Sequence, residues 1–274
     1  MSIPEPGSGT DLENGARPST PTGDNLILDH IRATAAGYAA VADAGGGRSG
    51  EAADLGLHMV DLACPSPFGN LAHLTAPVPE SRTADLAAAM KDFFGARDGG
   101  PYLLFSPWPT GDLGAHGFVL GGHPPVMVRP AGGTPTECDD LRVVVATDPD
   151  ELEAFERTLA IGYPASELLP FGSAPRLFGD GVLASGWSFY VGYCDDEPVA
   201  TAAAFVGEGL VLVEAVSTFE SHRRRGFGDA ITSAATFTAP ELPAMLISSD
   251  PGRGVYQRLG YMPITRYTLW IGTR

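Results

Sequence analysis

Residues 187–248 combine two patterns that few folds accommodate together. Three β-rich segments joined by short polar turns predict an antiparallel meander, and they cover residues 187–193, 198–206 and 210–217. A glycine-containing loop and a helical segment at 229–237 then lead to another β-rich segment at 244–248. Strand, helix and strand in this order indicate a parallel crossover. We therefore expect the strands at 210–217 and 244–248 to be parallel neighbours in a mixed sheet.

The segment before the meander predicts a strand followed by an amphipathic helix. Residues 141–147 are rich in valine, and apolar residues recur at helical spacing over 152–159. Asp148 or Asp150 can cap the start of this helix. The second half of the chain, from Leu141, is therefore expected to be one α/β unit.

Composition limits the classes of function. The formal net charge of -16 argues against nucleic acid as a partner, because duplex binding depends on neutralising phosphates. No apolar run approaches the length of a membrane span, and residues 1–24 have the Pro/Gly/Ser-rich composition of a disordered tail rather than of a secretory signal. We expect a cytoplasmic protein without membrane contact. Three distant cysteines and six scattered histidines support neither a disulfide framework nor a metal site.

The loop before the helix at 229–237 is the most basic stretch of this acidic chain. It has the sequence Arg223-Arg224-Arg225-Gly226-Phe227-Gly228. Glycines at a strand-to-helix junction let a ligand approach the backbone, and the N–H groups of the first helical turn have no partner inside the helix. These features, with guanidinium charge beside them, are typical of an anion site. A solvated turn is the alternative interpretation.

Two nucleotide-binding motifs are excluded. The loop lacks the Gly-Lys-Ser/Thr ending of a Walker P-loop and the third glycine of the dinucleotide fingerprint.

Two motifs in this order resemble the GNAT superfamily of N-acyltransferases. The Arg-x-x-Gly-x-Gly loop is similar to its acyl-CoA-binding motif, and Tyr256-Gln257-Arg258-Leu259-Gly260-Tyr261 resembles its Tyr-x-x-x-Gly-Phe/Tyr signature. The resemblance covers residues 141–274, about half of the chain. It implies an α/β fold with a central splayed mixed β-sheet, and acetyl-CoA (coenzyme A) as the acyl donor.

The resemblance also implies which residues bind coenzyme A. The backbone N–H groups from Arg225 through Gly226 and Phe227 to Gly228, with Arg223 and Arg224, would hold the pyrophosphate. The strand from Glu214 to Ser217 would splay from the strand at Met245, which leaves backbone groups for the pantetheine amides and the thioester carbonyl. The residues expected to provide these groups are Glu214, Val216 and Thr218. Ser249 would contact the cofactor or start the turn after its strand.

Two residues are candidates for the chemistry. Tyr256 falls at the superfamily's frequent general-acid position, where a phenol can protonate the departing thiolate; the alternative is a core aromatic. Glu214 could be the general base if it faces the cleft. Strand alternation puts it on the face of Leu210 and Leu212, so it could instead be a buried acid that needs a partner.

The first half shows a weak internal repeat of the second. A helix over 84–94 and a strand over 102–106 follow the spacing of the later crossover, but the loop before the helix, at 79–82, has no glycine. We expect a partial, degenerate GNAT-like domain at 25–130 that does not bind coenzyme A, then a linker at 131–140 and a catalytic GNAT domain at 141–274. The alternative is that the first half has a fold of its own.

The expected activity is transfer of an acetyl group from acetyl-CoA to a primary amine by direct attack, on a small molecule or a protein. The acidic composition makes a cationic amine, an aminoglycoside or a polyamine plausible as the acceptor. The protein is expected to be a monomer or a homodimer. The alternative is a non-catalytic acyl-CoA-binding or regulatory module with the same fold.

Overall fold

A computed structural model describes residues 23–163, 165–173 and 176–274. The helices of these residues are α1 (Gly23–Gly45), α2 (Thr83–Gly95), α3 (Pro149–Gly162), α4 (Phe227–Thr236) and α5 (Arg253–Arg258). The strands are β1 (Arg48–Ala52), β2 (Leu57–Asp61), β3 (Asn70–Leu74), β4 (Tyr102–Ser106), β5 (Val119–Gly122), β6 (Pro125–Arg129), β7 (Arg142–Val145), β8 (Trp187–Cys194), β9 (Glu197–Gly207), β10 (Leu210–Thr218), β11 (Ala244–Ile247), β12 (Met262–Arg266) and β13 (Thr268–Gly272). The tail predicted over 1–24 lies outside the described residues except for Gly23 and Asp24, which begin α1.

The described strands form two mixed sheets. One has the order β1-β2-β3-β4-β13-β5, and the other has the order β12-β6-β11-β10-β9-β8-β7. Each sheet contains one parallel pair, β3 with β4 and β10 with β11. Helix α2 connects the first pair and α4 connects the second. The predicted α/β fold with a mixed sheet is confirmed, and the first half repeats the crossover of the second.

The meander and the crossover of the second half form as the sequence predicts. Strands β8, β9 and β10 are successive antiparallel neighbours, and β10 then pairs with β11 in parallel. The Asp148 carboxylate caps α3 by accepting a hydrogen bond from the Glu151 N–H at 2.9 Å. Helix α4 begins at Phe227, two residues before the predicted start.

The two sheets exchange strands across the predicted linker at 131–140. Strand β6 precedes this segment in the chain but pairs with β11 and β12 of the second sheet. Strand β13 lies near the end of the chain but pairs with β4 and β5 of the first sheet. The domain boundaries stay a prediction, and the exchange couples the two halves through backbone hydrogen bonds.

Helix α1, which the sequence analysis did not predict, packs in the core that both sheets share. Ile31 and Val41 of α1 belong to the same buried cluster as Phe105 of the first sheet and Leu212 of the second. The indole N–H of Trp187 donates to the Gly37 carbonyl at 2.8 Å. Separate apolar cores lie under α2 and under α4. Among the described helices, none combines the length and apolar character that a membrane span requires.

A buried ion pair fixes the end of β13 to the first sheet. Both oxygens of the fully buried Asp61 carboxylate accept from the Arg274 guanidinium, at 2.7 and 3.1 Å. Arg274 also donates to the carbonyls of Arg97 and Gly100, and Arg48 lies 3.7 Å from Asp61. Because Asp61 and Arg274 are largely shielded from water, whereas Arg48 is partly exposed, the Asp61 and Arg274 charges depend on each other.

We expect Asp61→Asn to lower the free energy of unfolding by about 3–5 kcal/mol, because it leaves the largely buried Arg274 guanidinium without a counter-charge. Urea unfolding followed by circular dichroism measures the change. The matched control is Asp196→Asn, since Asp196 pairs with Arg142 at 3.4 Å but is 96% exposed, and such pairs contribute little. Equal urea midpoints for the two variants would contradict the assignment.

Candidate active site

A gap opens in the second sheet where β10 leaves β11. The parallel pairing covers Val211 with Ala244 and Leu212 with Met245. Beyond that point β11 continues beside β6, where Ile247 pairs with Val126. The splay expected between these two strands is therefore present, and the parallel pairing ends two residues before Glu214.

A β-bulge lies on β10 at the edge of this gap. Glu214 pairs with Ala203 and Ser217 pairs with Thr201, so β10 has one residue more than β9 in this interval. The extra residue puts Ala215 at a φ of 52°, which is unusual for a residue with a β-carbon. The Thr201 hydroxyl holds the bulge through contacts with the Ala215 carbonyl at 2.9 Å and the Ser217 hydroxyl at 2.8 Å. The bulge turns the backbone of β10 toward the gap.

The basic loop ends at the N-terminus of α4, next to the same gap. Gly226 precedes the helix with a φ of 85°, a conformation that favours glycine. The helical ladder begins with the Ala230 N–H, which donates to the Gly226 carbonyl at 3.0 Å. The N–H groups of the first turn, Phe227 to Asp229, therefore have no acceptor within the helix. The Phe227 side chain packs in the core beneath the sheet.

The three consecutive arginines have different surroundings. Arg223 donates to the carbonyls of Thr218 at 3.1 Å and Gly162 at 3.4 Å. Arg225 lies 3.6 Å from Asp140 and stacks over the ring of Phe227. Arg224 is exposed on the cleft, and its guanidinium has no partner among the described residues. Arg224 is thus the member of the series available to an anion.

The gap and the loop form one cleft of about 890 Å³. The cleft brings together most of the residues predicted from the sequence, which are Glu214, Val216, Thr218, Arg223, Arg224, Gly226, Gly228, Ser249 and Tyr256. Arg225 and the Phe227 side chain do not line it. The Ser249 hydroxyl accepts from the Gly252 N–H at 3.1 Å, so it also shapes the turn before α5.

Glu214 extends from the bulged strand into the interior of the cleft. Burial raises the pKa of its carboxyl to about 8, because desolvation disfavours the charged form. The carboxyl has no hydrogen-bond or ion-pair partner among the described residues. Glu214 lies on the face of Leu210 and Leu212, as strand alternation predicts, and this face leads into a pocket.

Tyr256 of α5 lies on the opposite side of the cleft and packs edge-on to Tyr261, with ring centroids 6.0 Å apart. Burial raises the pKa of the Tyr256 phenol well above its usual value, and the nearby Tyr163 and Glu214 raise it further. Tyr256 therefore stays protonated at neutral pH. Its ring contributes both to the apolar core under α4 and to the lining of the cleft.

Tyr163 was not predicted from the sequence. It follows the last residue of α3, is 44% exposed and lines the cleft beside Glu214. Partial desolvation and the Glu214 charge raise the pKa of its phenol. Gly162 allows this placement, because a β-carbon there would lie 2.8 Å from the Ser217 hydroxyl. A glycine at a helix end was the available signal, but it does not reveal which strand the helix approaches.

A second cavity, of about 130 Å³, continues inward from the cleft. The two share Tyr163, Glu214, Ala215 and Ile247 in their lining. The inner pocket reaches between the two sheets and is lined by residues of both halves. The sequence analysis did not predict it, because its walls come from distant segments.

Solved structures of other proteins share this architecture. A GCN5-related N-acetyltransferase from Kribbella flavida matches with a TM-score of 0.64 and 22% identity, over 90% of this chain and 95% of that one. A conserved protein of unknown function from Staphylococcus epidermidis matches with a TM-score of 0.54 and 12% identity, over 77% and 87%. A GNAT-family protein from Novosphingobium aromaticivorans matches with a TM-score of 0.51 and 20% identity, over 85% and 96%.

No protein-family model and no curated protein matches the sequence. The structural match to the Kribbella flavida protein covers nine-tenths of the chain and so includes both sheets. The chain therefore has the fold of the GCN5-related N-acetyltransferases.

Proposed function

We propose that the protein is an acetyl-CoA-dependent N-acetyltransferase that acts on a primary amine. The observation that carries this proposal is the continuous cleft from the N-terminus of α4 to Glu214 and Tyr256. An anion-binding end, a carboxyl and a protonated phenol thus share one space. This arrangement fits acyl transfer from a polyanionic thioester better than it fits a closed structural core.

The residues at the loop end of the cleft fit the pyrophosphate of coenzyme A. The N–H groups of Phe227 to Asp229 and the guanidinium of Arg224 are the donors available to phosphate oxygens. Gly228 presents no side chain to the cleft, so a ligand can approach the helix backbone there. Along β10, the backbone from Glu214 to Thr218 faces the gap and would pair with the pantetheine amides. When bound, acetyl-CoA supplies an acetyl thioester as the electrophile.

Glu214 acts as the general base and Tyr256 as the general acid. The neutral amine attacks the thioester carbonyl carbon, which forms the C–N bond, and Glu214 accepts the proton that the nitrogen loses. Tyr256 donates its phenolic proton to the sulfur as the C–S bond breaks. The Tyr256 phenolate regains a proton through water from Glu214. The products are the N-acetylated amine and coenzyme A.

The competing function is a non-catalytic acyl-CoA-binding module. Calorimetry with acetyl-CoA and a thiol-release assay on an amine panel separate the two. Gly226→Glu places a β-carbon and a carboxylate at the positive-φ position, so it should abolish binding while circular dichroism shows an intact fold. Intact binding by the unsubstituted protein with no turnover of any amine would favour the module, and absence of binding would overturn both.

Arg224→Ala should weaken acetyl-CoA binding about tenfold, because it removes a charge-assisted hydrogen bond to phosphate. Arg225→Ala is the matched control, since it removes the same charge from a side chain that pairs with Asp140 outside the cleft. Calorimetry at low ionic strength should show little change for this control. An equal loss of affinity in both variants would indicate a general charge effect and contradict the assignment of Arg224.

The pH dependence of kcat/KM should identify Glu214 as the base. The base works when ionised, so kcat/KM should rise as pH passes through about 8. An aniline-type acceptor keeps the titration of the amine below this range. Glu214→Gln should remove this rise with pH and lower kcat/KM about 100-fold or more. The control Glu220→Gln, at an exposed position before the basic loop, should keep both the rise with pH and the value of kcat/KM.

Tyr256→Phe should lower kcat about 100-fold without weakening acetyl-CoA binding, because the phenol protonates the leaving sulfur only in the transition state. An unchanged kcat would leave Tyr256 as a packing residue.

An unchanged pH profile in Glu214→Gln would assign the base elsewhere.

A further inference from the structure

The inner pocket behind Glu214 has the walls of an apolar binding site. Two sheet residues, Leu71 of β3 and Phe105 of β4, form one side. Leu159 of α3 and the segment with Leu177 and Phe178 form the other. These side chains belong to the first sheet, to α3 and to the segment after it. The shape of the pocket is therefore set by tertiary packing.

The size of the pocket restricts what can enter it. Its volume is about 130 Å³, close to that of a cavity of roughly 150 Å³ that binds benzene when lined by aliphatic and aromatic side chains. One six-membered ring or a short branched alkyl group therefore fills it. A long polyamine or an aminoglycoside is too large and too hydrophilic.

The polar groups of the pocket provide one acidic position and no cationic one. Among the residues that the structure describes, no lysine or arginine lines it, and the lining histidine, His73, is kept neutral because burial lowers its pKa to about 3. Tyr38 and Tyr163 have phenol pKa values raised by burial, so they are neutral as well. A carboxylate on the ligand would lie beside Glu214 without a counter-charge.

These three properties converge at the border of the pocket and the cleft. Glu214 lies on this border, where a ligand amine would meet the acetyl group, and the apolar walls begin directly behind it. A ligand whose nitrogen contacts Glu214 would thus place the rest of its structure in the apolar space.

We propose that the acceptor is a primary amine with one compact apolar group, the size of a single ring, and no carboxylate near the nitrogen. This proposal rests on the acetyltransferase function proposed above. Among the acceptors that the acidic composition made plausible, it keeps a compact cationic amine and excludes an aminoglycoside or a long polyamine. The charge of the whole surface does not set the chemistry of the inner pocket.

The first test compares kcat/KM for amines that differ in one property each. We expect 2-phenylethylamine and isopentylamine to exceed spermidine, phenylalanine and 2-(1-naphthyl)ethylamine by about tenfold or more. Spermidine lacks the apolar group, phenylalanine adds a carboxylate, and the naphthyl compound exceeds the pocket. Preference for spermidine or phenylalanine would overturn this inference while supporting the acetyltransferase function, and absence of turnover with all amines would contradict both.

The second test makes the pocket smaller by a substitution on α1. Thr34 is buried in the lining, and its hydroxyl donates to the His30 carbonyl of the same helix. Thr34→Leu should lower kcat/KM for 2-phenylethylamine about tenfold more than for methylamine, with acetyl-CoA affinity unchanged. Ala36→Leu, on an exposed position of the same helix, adds similar bulk outside the pocket and should have no such effect.

A third variant tests the same pocket without disturbing α1. Leu168 is partly exposed and lies in the lining, so Leu168→Ala should raise kcat/KM for 2-(1-naphthyl)ethylamine relative to 2-phenylethylamine. If Thr34→Leu and Leu168→Ala instead change the preference among acetyl-, butyryl- and hexanoyl-CoA with the acceptor held constant, the pocket binds the acyl chain and the proposal is wrong.

Discussion

The separation of β10 from β11 is the constraint on which the rest of the site depends. Parallel pairing of these strands ends at Leu212 and Met245, and the bulge at Ala215 lies on β10 just beyond this point. A continuous sheet would use the backbone groups of this segment in its own hydrogen bonds. Because the strands diverge, the segment faces a cleft, and Glu214 reaches an interior that is open to a ligand.

The acidic net charge and the arginine-rich loop are compatible, because the local arrangement of charges differs from the sum. Arg225 lies beside Asp140 and Arg223 donates to backbone carbonyls, so Arg224 is the arginine of the three left facing the cleft without a partner among the described residues. The first turn of α4 adds its free N–H groups at the same place. An anion would thus meet a favourable local potential on a chain that repels it elsewhere.

The first half of the chain contributes to the candidate site by packing. It repeats the crossover geometry with β3, α2 and β4, but Arg82, at the position of the basic loop, is paired with Asp54 and Asp85. Strand exchange through β6 and β13 then holds this half against the second sheet. The inner pocket forms between the two, so neither half alone provides all of its walls.

Local sequence determined much of the second half. Alternating strands, short turns, the Asp148 cap and the glycines before α4 are governed by interactions within a few residues, so the meander, the crossover and the predicted anion loop could be placed from the sequence. The same holds for Glu214 and Tyr256 as candidates, because the motifs that position them are short.

The tertiary structure decided the rest, since it depends on contacts between distant residues. The place of α1 between the sheets, the exchange of β6 and β13, and the position of Tyr163 beside Glu214 all join segments far apart in the chain. The pairing of Arg225 with Asp140 likewise could not be inferred from three adjacent arginines. The sequence by itself predicted the residues of the basic loop at one end of the cleft. The inner pocket at the other end exists only after the two sheets pack, because its walls belong to both halves.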